Sequence, residues 1–250
     1  MNSCKPRVAP AGPAVLLRAM APPSHPRIQT VTGFEALLAT PFAGRVNALC
    51  WPRTLAGDFG EIVAALGPGE GIRSLDEAQL LALTLGASGR TARDFLLADL
   101  QRLRAQGLDP ELNCIHAYPR DDADAVVPTD VLSFHTDHAP IEAATWLCTY
   151  HGPASEGLPN EAARRRTEDP AIRARLLAEY GGADDAGFAD FLRAHCYDLH
   201  YTPLPGTRPW SFGQGHLWRI ACDWPGSPVP PCIHRAPAQH ADEPRLLLIS

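Results

Sequence analysis

The sequence predicts an α+β fold in which helices lead into a β-rich barrel that a helical insert interrupts. Three observations carry this. Residues 29–108 hold amphipathic stripes at helical spacing, residues 109–158 and 197–250 hold short strand-like runs, and residues 159–196 return to helical spacing. An early and a late strand block closing around an insertion give a double-stranded β-helix, a small jelly-roll barrel whose mouth can hold a metal. On this division residues 1–28, with six prolines, form a disordered or loosely attached arm. Residues 29–250 form a single domain in which 29–108 support the barrel and 159–196 cover it as a lid.

In order, Thr32 caps a short helix through Phe34, Leu37 and Leu38, and residues 45–51 read as a strand stopped by Pro52. Phe59, Ile62, Val63 and Leu66 share one stripe of a helix that Gly67-Pro68-Gly69 ends. Ser74 and Glu77 have capping-box spacing and open a helix through Leu80, Leu81 and Leu85. Ser88 starts the next, with Phe95, Leu96, Leu100 and Leu103 on its stripe and Gly107 as its C-terminal cap. The first barrel strand covers 112–118; two more, 131–136 and 143–150, follow the acidic loop 121–130. Asp169-Pro170 is an N-cap and first-turn pair for a helix through Leu176, Leu177 and Tyr180, and Asp184 or Asp185 opens another through Phe188, Phe191 and Leu192. Strands return at 198–204, 216–222, 232–235 and 245–249.

Composition narrows the function. A hydrophobic fraction of 45% with 20% charged residues is that of an ordinary globular chain. The net charge is −6, and the one basic run, Arg164-Arg165-Arg166, stands among Glu161, Glu168 and Asp169, which reads as a solvated helix face and argues against nucleic acid. The run Ala14-Val15-Leu16-Leu17 is too short for a secretory signal, and no run approaches the roughly 18–20 apolar residues of a membrane span. Seven cysteines without a CxxC pair point to the reduced cytoplasm; Cys114, Cys148, Cys222 and Cys232 read as small buried thiols, and nucleophilic roles for Cys148 or Cys232 are disfavoured by their apolar strands. There is no GxSxG elbow, and the glycines at 67–71 lack the lysine of a phosphate loop.

The chemistry concentrates in Ser133-Phe134-His135-Thr136-Asp137-His138. His135 and Asp137, two apart on a strand, project from one face. With His234 in Ile233-His234-Arg235 they compose a 2-His-1-carboxylate metal site. The bland alternative is a hydrogen-bonded pair at a strand end. A second His-x-Asp, His240-Ala241-Asp242, lies in a polar linker and reads as a surface turn. Tyr150 and Thr149 are candidates to line the pocket, His138 and His151 to bind substrate or support ligands, and Trp210, Trp218 and Trp224 to form an apolar wall or simply core.

With Arg245 on the last strand, 11 positions after His234, this pattern is similar to the iron(II)/2-oxoglutarate dioxygenase superfamily. The resemblance implies Fe(II) on His135, Asp137 and His234, and 2-oxoglutarate anchored by Arg245 with help from Tyr118 or Asn113. The bland reading of Arg245 is an ion pair with Glu142 or Asp242. More of the chain resembles the bacterial domain of unknown function 1826. Its pattern, roughly FHxD, LCTYxGPGTEWLP, HRSP and RLLL, is matched by Phe134-His135-Thr136-Asp137, by Leu147-Cys148-Thr149-Tyr150-His151-Gly152-Pro153 with Leu158-Pro159, by His234-Arg235-Ala236-Pro237 and by Arg245-Leu246-Leu247-Leu248. Ala154-Ser155 replaces the Gly-Thr, Gly157 the Trp and Ala236 the Ser of that pattern. The expectation is therefore a non-haem oxygenase acting on a small-molecule or amino-acid- or peptide-derived substrate. The competing expectation is a cupin-like zinc-binding protein of metal homeostasis on the same ligands.

Overall fold

A computed structural model describes residues 21–121, 123–238 and 243–250. The chain is α+β and its sheets are dominated by antiparallel pairing. Helices α1 (Phe34–Ala39), α2 (Phe59–Leu66), α3 (Glu77–Ala82) and α4 (Ala87–Arg104) come first, interleaved with strands β1 (Ile28–Thr30), β2 (Ala48–Trp51) and β3 (Ile72–Leu75). The capping box expected at Ser74 and Glu77 lies two residues later: Asp76 and Gln79 cap each other at the start of α3. Ser74 instead belongs to β3, where its hydroxyl donates to Asn113 at 2.8 Å. Leu75 is the one buried residue of this strand and closes it, and only then does the helix begin.

Ten further strands follow among the described residues: β4 (Glu111–Ile115), β5 (Phe134–His135), β6 (Ala144–His151), β7 (Glu156–Leu158), β8 (Ala163–Arg165), β9 (His200–Pro203), β10 (Trp210–Ser211), β11 (Leu217–Ala221), β12 (Ile233–Arg235) and β13 (Arg245–Ile249). They form a seven-stranded sheet, ordered β1-β2-β11-β6-β13-β4-β3, and a six-stranded sheet, ordered β10-β7-β12-β5-β9-β8. β5 is shorter than the expected strand over 131–136, because the Asp130 carboxylate accepts the N–H groups of Leu132 and Ser133 and holds a turn there.

Side-chain parity gives the larger sheet two faces. On one, Trp146, Cys148 and Tyr150 of β6 with Leu246 and Leu248 of β13 pack against Leu96, Leu100 and Leu103 of α4 and Phe59, Ile62 and Val63 of α2. On the other, Leu147, Leu247, Trp218 and Ile220 form a second core with Phe212 and Cys232, which flank strands of the smaller sheet. Polar side chains that alternate with this second core, such as Thr145 and Arg245, therefore stand at the level where the sheets face each other. That is what positions the site.

Residues 159–196 are not wholly helical. Arg164, Arg165 and neighbouring Ala163 form β8, which pairs with β9 and puts the basic run on a sheet edge instead of a helix face. Asp169 and Pro170 do open a helix, α5 (Pro170–Tyr180), with Gly181 left-handed at its end (φ 72°), and Asp185 caps α6 (Ala186–Ala194). These two helices carry their own small core of Leu176, Phe188 and Leu192 with Val127. No helix among the described residues is long and apolar enough to cross a membrane. Cys50, Cys114, Cys148, Cys222 and Cys232 are buried free thiols, and Cys196 is exposed. The expected turn at His240-Ala241-Asp242, and residues 1–20 of the expected arm, lie outside the described residues.

Candidate metal centre

Three neighbouring strands of the smaller sheet bring histidines into one row. His135 is the direct partner of His234 on β12 and of His200 on β9. Directly paired residues share a face, so the three rings stand side by side, 4.6 Å (His135 to His234) and 5.7 Å (His135 to His200) between centroids. Asp137, two residues beyond His135, returns to that face. Its carboxylate oxygens lie 3.8 Å from His135 Nε2 and 3.6 Å from His234 Nε2. One ligand atom from each of His135, Asp137 and His234 lies within 4.8 Å of the others.

The donor set suits a divalent metal. His135 Nδ1 is 2.8 Å from the Ser133 carbonyl and His234 Nδ1 is 3.2 Å from the Cys232 carbonyl. A proton on each Nδ1 satisfies those carbonyls and leaves both Nε2 lone pairs directed at the common point. Burial, and then the neighbouring His234, lower His135 to about 4, so its ring is neutral at physiological pH. Burial alone would raise the Asp137 carboxyl; the two imidazoles and a hydrogen bond donated by the Thr145 hydroxyl outweigh it and keep the group ionised. Two imidazoles and one carboxylate on one side leave the opposite positions of a six-coordinate ion open.

On one side of the triad is a small cavity of about 130 Å³, lined by Tyr118, Thr145, Leu147, Ser155, Arg245 and Leu247. Arg245 is 1% exposed. Its guanidinium donates to Tyr118 Oη at 2.6 Å, Thr149 Oγ1 at 2.9 Å and Ser155 Oγ at 2.6 Å, and Nε has no partner. None of these groups is anionic, and Arg245 forms no ion pair among the described residues; Glu142 does not reach it, and Asp242 lies outside them. Burial lowers its pKa although the Tyr118 hydroxyl opposes the shift. A guanidinium taken out of water without a counter-charge costs several kcal/mol. That guanidinium lines the small cavity.

On the other side, His135 and Asp137 also line a cavity of about 950 Å³. Its walls include Arg165 of β8, Asp198, His200, Asp223 and Trp224. His135 and Asp137 thus stand on the partition between a small and a large chamber.

Of the five residues the sequence offers for the cosubstrate pocket, Tyr118, Thr149 and Arg245 come together, and two do not. Tyr150 points to the opposite face of β6, where its hydroxyl donates to the buried Asp99 at 2.6 Å. Asn113 is bonded to Ser74 and Glu111 rather than facing the small cavity. His138 lines the large cavity, His151 lies against α2 beside Gly60, Trp210 and Trp218 pack tilted and edge-on against Phe212 in the inter-sheet core, and Trp224 lines the large chamber. The sequence reading missed His200, Thr145, Ser155 and Arg165. Only Ser155, inside the resembling block, had a sequence signal. No family model, no curated protein and no solved structure matches the chain.

Proposed function

We propose that this protein is a non-haem Fe(II) oxygenase that uses 2-oxoglutarate as cosubstrate, with its two sheets forming a double-stranded β-helix. The observation that carries this is Arg245, buried without a counter-anion in a small chamber whose other end is the His135–Asp137–His234 triad. That chamber is far below the roughly 300–1,000 Å³ of a pocket for a drug-sized ligand and suits a compact dicarboxylate. A zinc store on the same three ligands gives Arg245 no role, so the oxygenase reading is preferred. The resemblance to the domain of unknown function 1826 fits the same residues.

In this reading His135, Asp137 and His234 hold the metal. When bound, Fe(II) with a 2-oxo acid supplies the oxygen activation that oxidises an unactivated C–H bond. Arg245 receives the far carboxylate of the cosubstrate through a planar fork that a lysine lacks, and Tyr118, Thr149 and Ser155 aim that fork. Leu147, Leu247 and Ile249 close the small chamber to water, and the substrate enters from the large one. The reduced cytoplasm is the compartment that these ligands and the free thiols suit.

The test is the anaerobic visible spectrum after addition of Fe(II) and then 2-oxoglutarate. A charge-transfer band that requires both, and disappears in Arg245→Met, is expected. Iron bound by the triad with no spectral response to 2-oxoglutarate would overturn the proposal.

A further inference from the structure

The large chamber carries charges that make no close ion pair with one another. Arg165 has no carboxylate within 4 Å among the described residues, although Asp198 and Asp223 are near enough to help hold its pKa up; its Nε donates to the Tyr201 hydroxyl at 3.2 Å, and its guanidinium carbon lies 5.9 Å from that ring's centre. Asp198 keeps Oδ1 buried with no hydrogen-bond donor. The basic group nearest Asp223 is His138, at 4.0 Å. At the same wall Asp190 and Arg193 are paired at 2.7 Å and cancel. Apart from Asp137 of the triad, one cation and two carboxylates line the chamber without a close ion pair to each other.

Their placement relative to the triad is fixed by backbone. Thr136 N–H donates to the Leu199 carbonyl, which seats Asp198 beside the residue after His135. Asp223 N–H donates to the Asp137 carbonyl, which seats Asp223 beside the other ligand. His200, paired across the ladder with His135, is 4% exposed, lines the chamber and has no hydrogen-bond partner for Nδ1. A buried ring nitrogen with no partner is costly unless something supplies one. Trp224 adds an apolar wall suited to a carbon chain.

We infer that the large chamber receives a basic amino acid or an amino-acid-like end, with Arg165 taking the carboxylate and Asp198 and Asp223 taking protonated amines. Two carboxylates against one guanidinium favour a substrate with more amine than acid, and the carbon chain lies along Trp224 toward His200 and the triad. The orientation toward a reactive centre rests on the oxygenase reading; the binding itself does not.

L-lysine is the probe, titrated calorimetrically into zinc-loaded protein saturated with 2-oxoglutarate, with L-norleucine and glutarate as comparisons. Zinc turns nothing over, so this readout survives failure of the oxygenase reading, and the Fe(II) spectrum survives failure of this one. L-lysine is expected to bind better than L-norleucine, and glutarate not to enter the large chamber. Arg165→Gln, Asp198→Asn and Asp223→Asn each weaken L-lysine by about tenfold or more, whereas Arg193→Gln, whose charge is already paired, changes it less than about twofold. Thermal midpoints verify that each variant is folded; Asp223→Asn, at a half-exposed position, keeps the test open if Asp198→Asn is not. Absence of L-lysine binding at millimolar concentration, equal binding of L-norleucine, or indifference to Arg165→Gln and Asp223→Asn overturns the inference.

Discussion

The Thr145 hydroxyl donates to Asp137 and lies 3.3 Å from Cys222 Sγ, so the carboxylate that bridges the two imidazoles is itself held from behind. Thr145→Val keeps the shape and removes that donor. Metal affinity, measured by competition with a chromophoric chelator, is expected to fall about 10–100-fold; Asp137→Ala abolishes stoichiometric binding. Unchanged affinity in Thr145→Val would remove it from the site. Arg245 makes a separate prediction: 2-oxoglutarate raises the thermal midpoint of the metal-loaded protein by mass action and leaves that of Arg245→Met unmoved. The convergence of His135 and Asp137 was legible because His-x-Asp is a local pattern with a face. His200 was not, since its partner is across a ladder and its strand, His200-Tyr201-Thr202-Pro203, carries no motif. Tyr150 was misread for a related reason. Residues 145–150 of β6 are all buried, so the sequence cannot say which parity meets the helices and which the site.

β7 shows how one element makes room for another. Gly157 stands between β10 and β12, and a Cβ there would lie 2.2 Å from the Trp210 ring. The indole from β10 fills the space that a side chain on β7 would occupy. Ser155 offers the hydroxyl that Arg245 uses. Strands as short as β7, β8 and β10 carry too few residues for alternation to be read, which is why they were not predicted. The insert is a different case: its caps were legible at Asp169 and Asp185, but the way it covers the chamber comes from β8 pairing with β9. Because α5 and α6 bury a core of their own, Leu176→Ala is expected to cost about 2–5 kcal/mol locally. Hydrogen exchange should then lose protection over α5 and α6 and keep it on β13. Equal loss in both would mean that the insert and the sheets unfold as one unit.

At the scale of the whole molecule, the histidine row couples folding to pH. Burial, and then the adjacent rings (His234 beside His135, His135 beside His200), lower His135 and His200 to about 4. Free histidine titrates near 6.5, so between about 6.5 and 4 the unfolded chain binds protons that the folded chain refuses. Stability therefore rises with pH through that window: it is fully present above about 7 and declines as the solution is acidified toward 4. One ring displaced this far is worth on the order of 3 kcal/mol across the window. The lowered Asp137 carboxyl adds a loss of the same sign, at still lower pH, as it takes up its proton. Urea midpoints of metal-free protein should fall between pH of about 7.5 and about 5, and His200→Gln should flatten the slope by removing one of the two rings. Added metal, which needs neutral imidazoles, steepens it. A midpoint that holds or rises on acidification would show that the row is not held neutral by the fold, and the preorganised Nε2 lone pairs on which the metal centre depends would go with it.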